Sequence, residues 1–321
     1  MNDQSLSNFF HYLITRKELG WINSLINIIS DLFLWDWELL IWWSSLSFFS
    51  IINIILWIKI KNQLDRENGN WSKNEIQFST IQAYLSLGYV IVCAFRSFLP
   101  RADVQKIVLW DTWFSSVLVG RSVATIGELC LALQLALFLK FISKKYNSYI
   151  IDGFSKIIFP ILCLAECFSW YSVITTNYIG NTIEESLWCI SGGLILISSL
   201  ILIKKSNYKE KTIYIILSLM ATSYVLFMVL VDIPMYYNRL IIDLSNSKQY
   251  YTLTDGLKNL NSSWVVTHIY SDWNGELSWM FLYFTTAVWM SLGLIRIPFI
   301  IDRFHQNEKI KYSFIKNLES K

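Results

Sequence analysis

The stretch WFSSVLVGRSVATIGELCLALQLALFL, residues 113–139, decides the fold of this chain. It is long enough to cross a bilayer as a helix, since about 20 apolar residues span the hydrocarbon core. Two charged side chains, Arg121 and Glu128, interrupt it. An ionisable side chain at this depth is costly, and it commonly marks a functional site that faces the interior of a helix bundle. The stretch therefore predicts both a membrane helix and a buried polar centre.

Six further apolar stretches have a similar length and composition. They cover residues 39–58, 77–98, 157–178, 183–203, 212–235 and 277–298. Backbone groups inside the hydrocarbon must be hydrogen-bonded within the protein, so segments of this length are expected to be helices. A lipid-facing β-barrel would need alternating segments of about ten residues, which the sequence lacks. The chain is therefore predicted to be all-α, a polytopic membrane helix bundle of about seven transmembrane helices.

The overall composition agrees with this prediction. The chain has 321 residues, of which 54% are hydrophobic and 16% are charged, and its mean hydropathy is +0.40. Soluble domains carry roughly 25% charged residues, so the deficit indicates a surface that meets lipid. We predict an integral, multi-pass membrane protein surrounded by membrane lipids, and the sequence does not specify which membrane. The basic stripe that nucleic-acid binding requires is missing, so nucleic acid is not expected as a partner.

The distribution of basic residues predicts the orientation. Eighteen of the 27 Lys and Arg residues fall in alternate connections and the C-terminal tail. These segments are residues 59–75, 140–156, 204–211 and 296–321. Eight fall on the opposite side, and Arg121 lies within a span. The positive-inside rule then places the N-terminus outside and the C-terminus in the cytoplasm.

We predict three regions along the chain. Residues 1–38 form an N-terminal segment, in which apolar side chains recur at helical spacing over 19–35 and indicate an amphipathic helix lying in the membrane interface. Residues 39–298 form the seven-helix membrane domain, and residues 299–321 form a basic cytoplasmic tail. A long outer loop at about 236–276 is either a cap over a site or a plain surface connector.

Polar residues within the spans predict the site. A carboxylic acid in apolar surroundings suits general acid–base chemistry, and the predicted catalytic residues are Glu128, Glu166 and Asp232. Substrate binding is assigned to the polar residues near the outer ends of the spans. These residues are Arg96, Arg121, Asn177, Glu184, Glu185 and Arg239. Arg121 and Glu128 are about 10 Å apart along their helix. We therefore expect that they do not simply pair with each other and that each reaches another helix.

We expect no cofactor and no metal. His11, His268 and His305 all lie outside the spans, so a pair of axial haem ligands is not available there. The last apolar stretch, 277–298, contains no lysine for a retinal Schiff base. The Cys-x-x-Glu-Cys pattern that ends at Cys167 does not predict a metal site, because one helix cannot surround an ion.

Three functional hypotheses follow. The first is an intramembrane enzyme with a polar cavity open to the non-cytoplasmic side, which acts on a lipid or isoprenoid head group by carboxylate acid–base chemistry. The second is a proton-coupled transporter, although the inverted repeats typical of many transporters are not evident. The third is a receptor or a non-catalytic subunit, which leaves a partner subunit open. We favour the enzyme, with a lipid-like small molecule as its substrate, because the polar residues concentrate toward one side.

Overall fold

The computed structural model describes residues 35–67, 71–261, 264–297 and 299–301. Within these ranges, seven helical segments are long and apolar enough to cross a membrane. This confirms the prediction of an all-α, multi-pass bundle. Most of the predicted N-terminal segment, with its interfacial helix, and the tail from residue 302 lie outside the described residues. The orientation of the bundle remains a prediction.

The first five spans are uninterrupted helices. They are α1 (Trp37–Glu67), α2 (Lys73–Phe98), α3 (Val117–Lys145), α4 (Tyr149–Thr175) and α5 (Ile179–Lys205). Local signals set several of their ends. Ser72 and Glu75 form a capping box at the start of α2, which satisfies donors that the first helical turn leaves free. Thr176 follows α4 in the left-handed region, with φ of 59°, and this conformation ends many helices.

The last two spans are each broken by a π-helical turn. The sixth span consists of α6 (Tyr208–Phe227), the turn Met228–Asp232 and α7 (Ile233–Ser245). The short helix α8 (Leu253–Lys258) follows. The seventh span runs from Tyr270 to Ile297, and begins with α9 (Tyr270–Leu282) and the turn Tyr283–Ala287. Pro234 lacks a backbone donor, which favours the irregular turn before it. Such turns often occur at functional sites.

The connection between the last two spans is shorter than the predicted 236–276. Helices α7 and α9 extend into that range, so the connection covers residues 246–269. Its strand β3 (Val265–Val266) pairs in parallel with β2 (Ile107–Val108), which is antiparallel to β1 (Arg101–Ala102). This small sheet ties the connection to the 99–116 loop that joins α2 to α3.

Each of the helices from α1 to α6 packs against its neighbour in the sequence, and the seventh span packs against α1 and α2. Glycine allows close approach at two of these interfaces. A Cβ added to Gly127 would lie 2.6 Å from Val92 of α2, and one added to Gly192 would lie 2.7 Å from Tyr224 of α6. Small residues have this role at many membrane helix interfaces.

An uncharged polar network joins α2, α3 and the seventh span. We call it the amide network, and it consists of Gln82, Ser86, Gln134 and Ser291. The side-chain amides of Gln82 and Gln134 each donate to the other residue's backbone carbonyl at 3.0 Å. The Ser291 hydroxyl lies 2.6 Å from Gln134 Oε1 and 2.9 Å from the Ser86 hydroxyl. All four residues are buried, and the bonds hold three helices together.

Candidate functional site

A cavity of about 570 Å³ lies among α2, α3, α5, the sixth span and the seventh span. Its volume is within the range of about 300–1,000 Å³ that is usual for small-molecule sites. One end is polar and is lined by Arg96, Asp103, Gln105, Arg121, Glu128, Asn181, Glu184, Glu185, Asp232 and Glu276. The other end is apolar, with Leu131, Leu135, Ile195, Leu217, Ala287 and Met290 among its lining residues. The cavity therefore has the polarity of an amphiphile.

Arg121 is the centre of an arginine–carboxylate cluster. Its guanidinium forms an ion pair with Glu128 of the same helix. Nη2 also lies 2.7 Å from Glu166 of α4 and 3.7 Å from Glu184 of α5. All four side chains are less than 10% exposed. One positive charge on α3 thus faces three carboxylates that belong to three helices.

The expectation that Arg121 and Glu128 do not pair was wrong. Seven residues are nearly two helical turns, so both side chains lie on one face. Side chains in helices lean toward the N-terminus, so Glu128 leans back toward Arg121 and shortens the gap that the axial rise creates. The other part of the expectation was confirmed for the arginine, which also reaches Glu166 on a second helix.

Neighbouring polar groups orient the cluster. The Thr125 hydroxyl donates to Glu166 at 2.7 Å and accepts from the Trp170 indole at 3.1 Å. The Asn181 amide donates to Glu184 at 3.1 Å. Ligand oxygens of Glu128, Glu166 and Glu184 lie within 4.8 Å of one another, a spacing that would suit a metal ion. The Arg121 guanidinium already occupies their centre, so a cation could bind there only if the arginine moved.

Asp103 of the 99–116 loop joins three arginines above the cluster. Its carboxylate accepts a hydrogen bond from Arg101 Nε at 2.5 Å and lies 3.7 Å from Arg96 and 3.9 Å from Arg121. Burial alone would raise the pKa of Asp103, but the three guanidinium groups outweigh it and lower the pKa below the usual value. Burial lowers the pKa of Arg101, whose side chain is 1% exposed.

Glu276, at the start of the seventh span, links a third set of polar groups. It accepts from Arg239 of α7 at 2.8 Å and from Gln105 of the 99–116 loop at 2.8 Å. Its second oxygen accepts from the Trp279 indole at 2.6 Å. The guanidinium of Arg96 lies over the Trp279 ring, 5.9 Å from its centroid. These contacts fix the 99–116 loop against the last two spans.

Glu185 of α5 and Asp232 of the π turn form a carboxyl pair. Both side chains line the cavity, where the π turn packs against α5. Two neighbouring carboxylates repel unless they share a proton. Because Asp232 belongs to the irregular turn of the sixth span, that turn brings it toward α5.

The nine predicted site residues divide into two groups. Six line the cavity, namely Arg96, Arg121, Glu128, Glu184, Glu185 and Asp232. The other three lie outside the lining. Glu166 lies behind Arg121, Arg239 pairs with Glu276, and Asn177 accepts from the backbone of Ile179 at 3.0 Å in the turn between α4 and α5.

Sequence reasoning missed the contribution of the 99–116 loop. Arg101, Asp103 and Gln105 meet the polar end from above, although they belong to no span and follow no helical period. One signal was available. Two arginines and an aspartate occur within eight residues, from Arg96 to Asp103, next to the end of a span.

The polar end offers both donors and acceptors to a ligand. Among the described residues, Arg96 Nε and Arg121 Nε have no hydrogen-bond partner, although both side chains are buried. Buried donors of this kind are normally satisfied, so a bound oxygen atom would complete them. The carboxyl pair can give up or accept a proton beside them.

Comparison with protein-family models, with curated proteins and with solved structures gave no match.

Proposed function

We propose that this multi-pass membrane protein is an enzyme that acts on the head group of a membrane amphiphile, a lipid or an isoprenoid. The observation that carries the proposal is the cavity with one charged end and one apolar end. Covering the apolar wall of the cavity with a hydrocarbon chain is favourable, because it removes apolar surface from water. A head group attached to that chain would then lie among the arginines and carboxylates.

The position of the cavity supports uptake of the ligand from the bilayer. Its border includes Leu219 and Met220 of α6 and Leu282 of α9, which are 63%, 42% and 44% exposed. In a spanning helix such residues face lipid. An amphiphile could therefore move sideways between the sixth and seventh spans without leaving the membrane.

We assign acid–base chemistry to the carboxyl pair of Glu185 and Asp232. A proton shared by two carboxyl groups makes one of them an acid and the other a base, as in carboxyl dyads of known enzymes. Glu128 lines the cavity and is held by Arg121, so its role would be to orient the head group. Glu166 lies outside the lining and acts as a positioning residue through Arg121 and Thr125.

The experiment that tests this proposal follows lipid conversion. The purified full-length protein would be reconstituted in vesicles of a total lipid extract, and products would be detected by chromatography with mass spectrometry. The wild-type protein should convert a lipid species that Asp232→Asn leaves unchanged. Asp243→Asn is the matched control, because Asp243 lies on α7 and pairs with Lys248 at 2.7 Å, away from the cavity lining.

Two results would contradict the proposal. An unchanged lipid profile with wild-type protein would argue against an enzyme of this class. Conversion that survives in Asp232→Asn would remove the carboxyl pair from the mechanism. Melting temperature and gel filtration of each variant would show that the fold is retained.

A further inference from the structure

We infer that the head group bound in the cavity carries an ammonium group. This deepens the proposed function and rests on the same cavity. The charged side chains that line the polar end, taken with their ion-pair partners, are mostly acidic. The basic members are Arg96, Arg101, Arg121 and Arg239. The acidic members are Asp103, Glu128, Glu166, Glu184, Glu185, Asp232 and Glu276.

The arginines already have carboxylate partners within the protein. Arg121 contacts Glu128 and Glu166, while Arg239 donates to Glu276 at 2.8 Å. An anionic head group would have to approach these carboxylates in a medium of low dielectric constant, where repulsion between like charges is strong. The donors that are free among the described residues, Arg96 Nε and Arg121 Nε, therefore suit an uncharged oxygen atom of the ligand better than an anionic group.

The cavity lining itself carries the excess of negative charge. Glu185 lines the cavity together with Glu128, Glu184 and Asp232, which are all acidic. Glu184 is also the most distant of the three carboxylates around Arg121, at 3.7 Å from Nη2. A buried charge without a counter-ion is costly. An ammonium group, which has three donors and a positive charge, would supply what this part of the cavity lacks.

Aromatic side chains adjoin the same carboxylates. Trp188 is one turn beyond Glu185 on α5 and lines the cavity, as does Tyr224 of α6. The Tyr224 ring packs against Gly192 of α5, two turns beyond Glu185, where an added Cβ would lie 2.7 Å from the ring. Aromatic faces attract ammonium groups within about 6 Å of the ring centroid. Carboxylates and aromatic rings together thus form a site for a cation attached to a hydrocarbon chain.

The test uses three probes with the same chain and different head groups. Full-length protein in an uncharged detergent would be mixed at neutral pH with equal amounts of hexadecylamine, hexadecanol and hexadecyl phosphate. Native mass spectrometry would then measure the occupancy of each probe. We expect the amine to exceed the phosphate by about tenfold or more, a ratio that corresponds to one decade in Kd.

Variants connect this preference to the carboxylates. The double variant Glu185→Gln with Asp232→Asn should reduce the amine-to-phosphate ratio to near one and leave hexadecanol binding unchanged. If the double variant does not fold, Glu184→Gln alone should lower the same ratio. Asp243→Asn, which removes a carboxylate outside the cavity lining, should keep the ratio of the wild-type protein.

The possible results separate this inference from the proposed function. Equal binding of all three probes, or preference for the phosphate, would overturn the ammonium inference and leave the amphiphile cavity intact. A preference for the amine that persists in the carboxylate variants would also overturn it. If none of the probes bound, the cavity would not be an amphiphile site, and the proposed function would fail with it.

Discussion

The amide network and the arginine–carboxylate cluster are both buried polar groups between membrane helices, and they differ in charge. The network joins α2, α3 and the seventh span through uncharged amides and hydroxyls, and none of its four residues lines the cavity. The cluster joins α3, α4 and α5 through one guanidinium and three carboxylates. Three of its four residues line the cavity.

This difference separates two uses of polarity inside a membrane. Hydrogen bonds between neutral groups can join helices at a modest gain and without a large desolvation cost. Buried charges cost much more, and hydrophobic side chains of similar size often stabilise a protein equally well. A cluster with excess charge beside a cavity is therefore better explained by ligand chemistry than by stability alone.

The largest effect is expected from Arg121→Met, which leaves three buried carboxylates without their counter-ion. Removing one partner of a buried ion pair commonly costs about 3–5 kcal/mol. Reversible unfolding in mixed micelles would measure the loss. Lys248→Met is the control, because it breaks a pair that is more exposed and should cost no more than about 1 kcal/mol. Equal losses in both variants would remove the distinction between the cluster and an ordinary ion pair.

Asp103→Asn should have the next largest effect, at about 1.5–3 kcal/mol, because Asp103 accepts a charge-assisted hydrogen bond from Arg101. The pKa of Asp103 is lowered in the folded protein, while an unfolded Asp titrates near about 3.9. The stabilisation that ionised Asp103 gives to the folded protein is therefore complete above about pH 4. It is lost as the pH falls through the pKa of Asp103 in the folded protein. The difference in unfolding free energy between wild type and variant should shrink over that acidic range. A difference that stayed constant there would contradict the assignment.

Gln134→Leu tests the amide network and should cost about 1 kcal/mol, since hydrogen bonds between membrane helices average roughly 0.6 kcal/mol each. The cost should not change with pH in the acidic range, because the network contains no titratable group. Binding of a cavity ligand should be retained. A loss of binding equal to that of a carboxylate variant would show that the network also belongs to the site.

Glu128→Gln should have the smallest effect on stability, within about 1 kcal/mol of the wild-type protein. Glutamine keeps the shape of the side chain, and its neutrality relieves repulsion among the three carboxylates. Lipid conversion should nevertheless fall strongly, because the head group loses a charged contact. Glu38→Gln, at an exposed position at the start of α1, is the matched control. A variant that is strongly destabilised yet fully active would assign Glu128 to structure.

The sequence predicted the number and approximate limits of the spans, because the position and length of each apolar stretch can be read directly from the chain. It also predicted six residues that line the cavity, since a charge such as Arg121 within an apolar stretch is conspicuous. The Arg121–Glu128 pair was not predicted, because axial rise ignores the direction in which side chains lean. Asp103 was not predicted either, since a loop residue has no periodic pattern that would place it over the bundle.

In the last two spans, the number of residues in the π turns Met228–Asp232 and Tyr283–Ala287 determines which side chains face the cavity. Each residue of an α-helix advances the chain by about 100° around its axis. Deleting one residue from Met228–Asp232 would therefore rotate the two halves of the sixth span against each other and separate Asp232 from Glu185. Hydropathy would hardly change. An insertion or deletion of one residue, rather than any substitution, would be the smallest change able to redirect this side of the cavity.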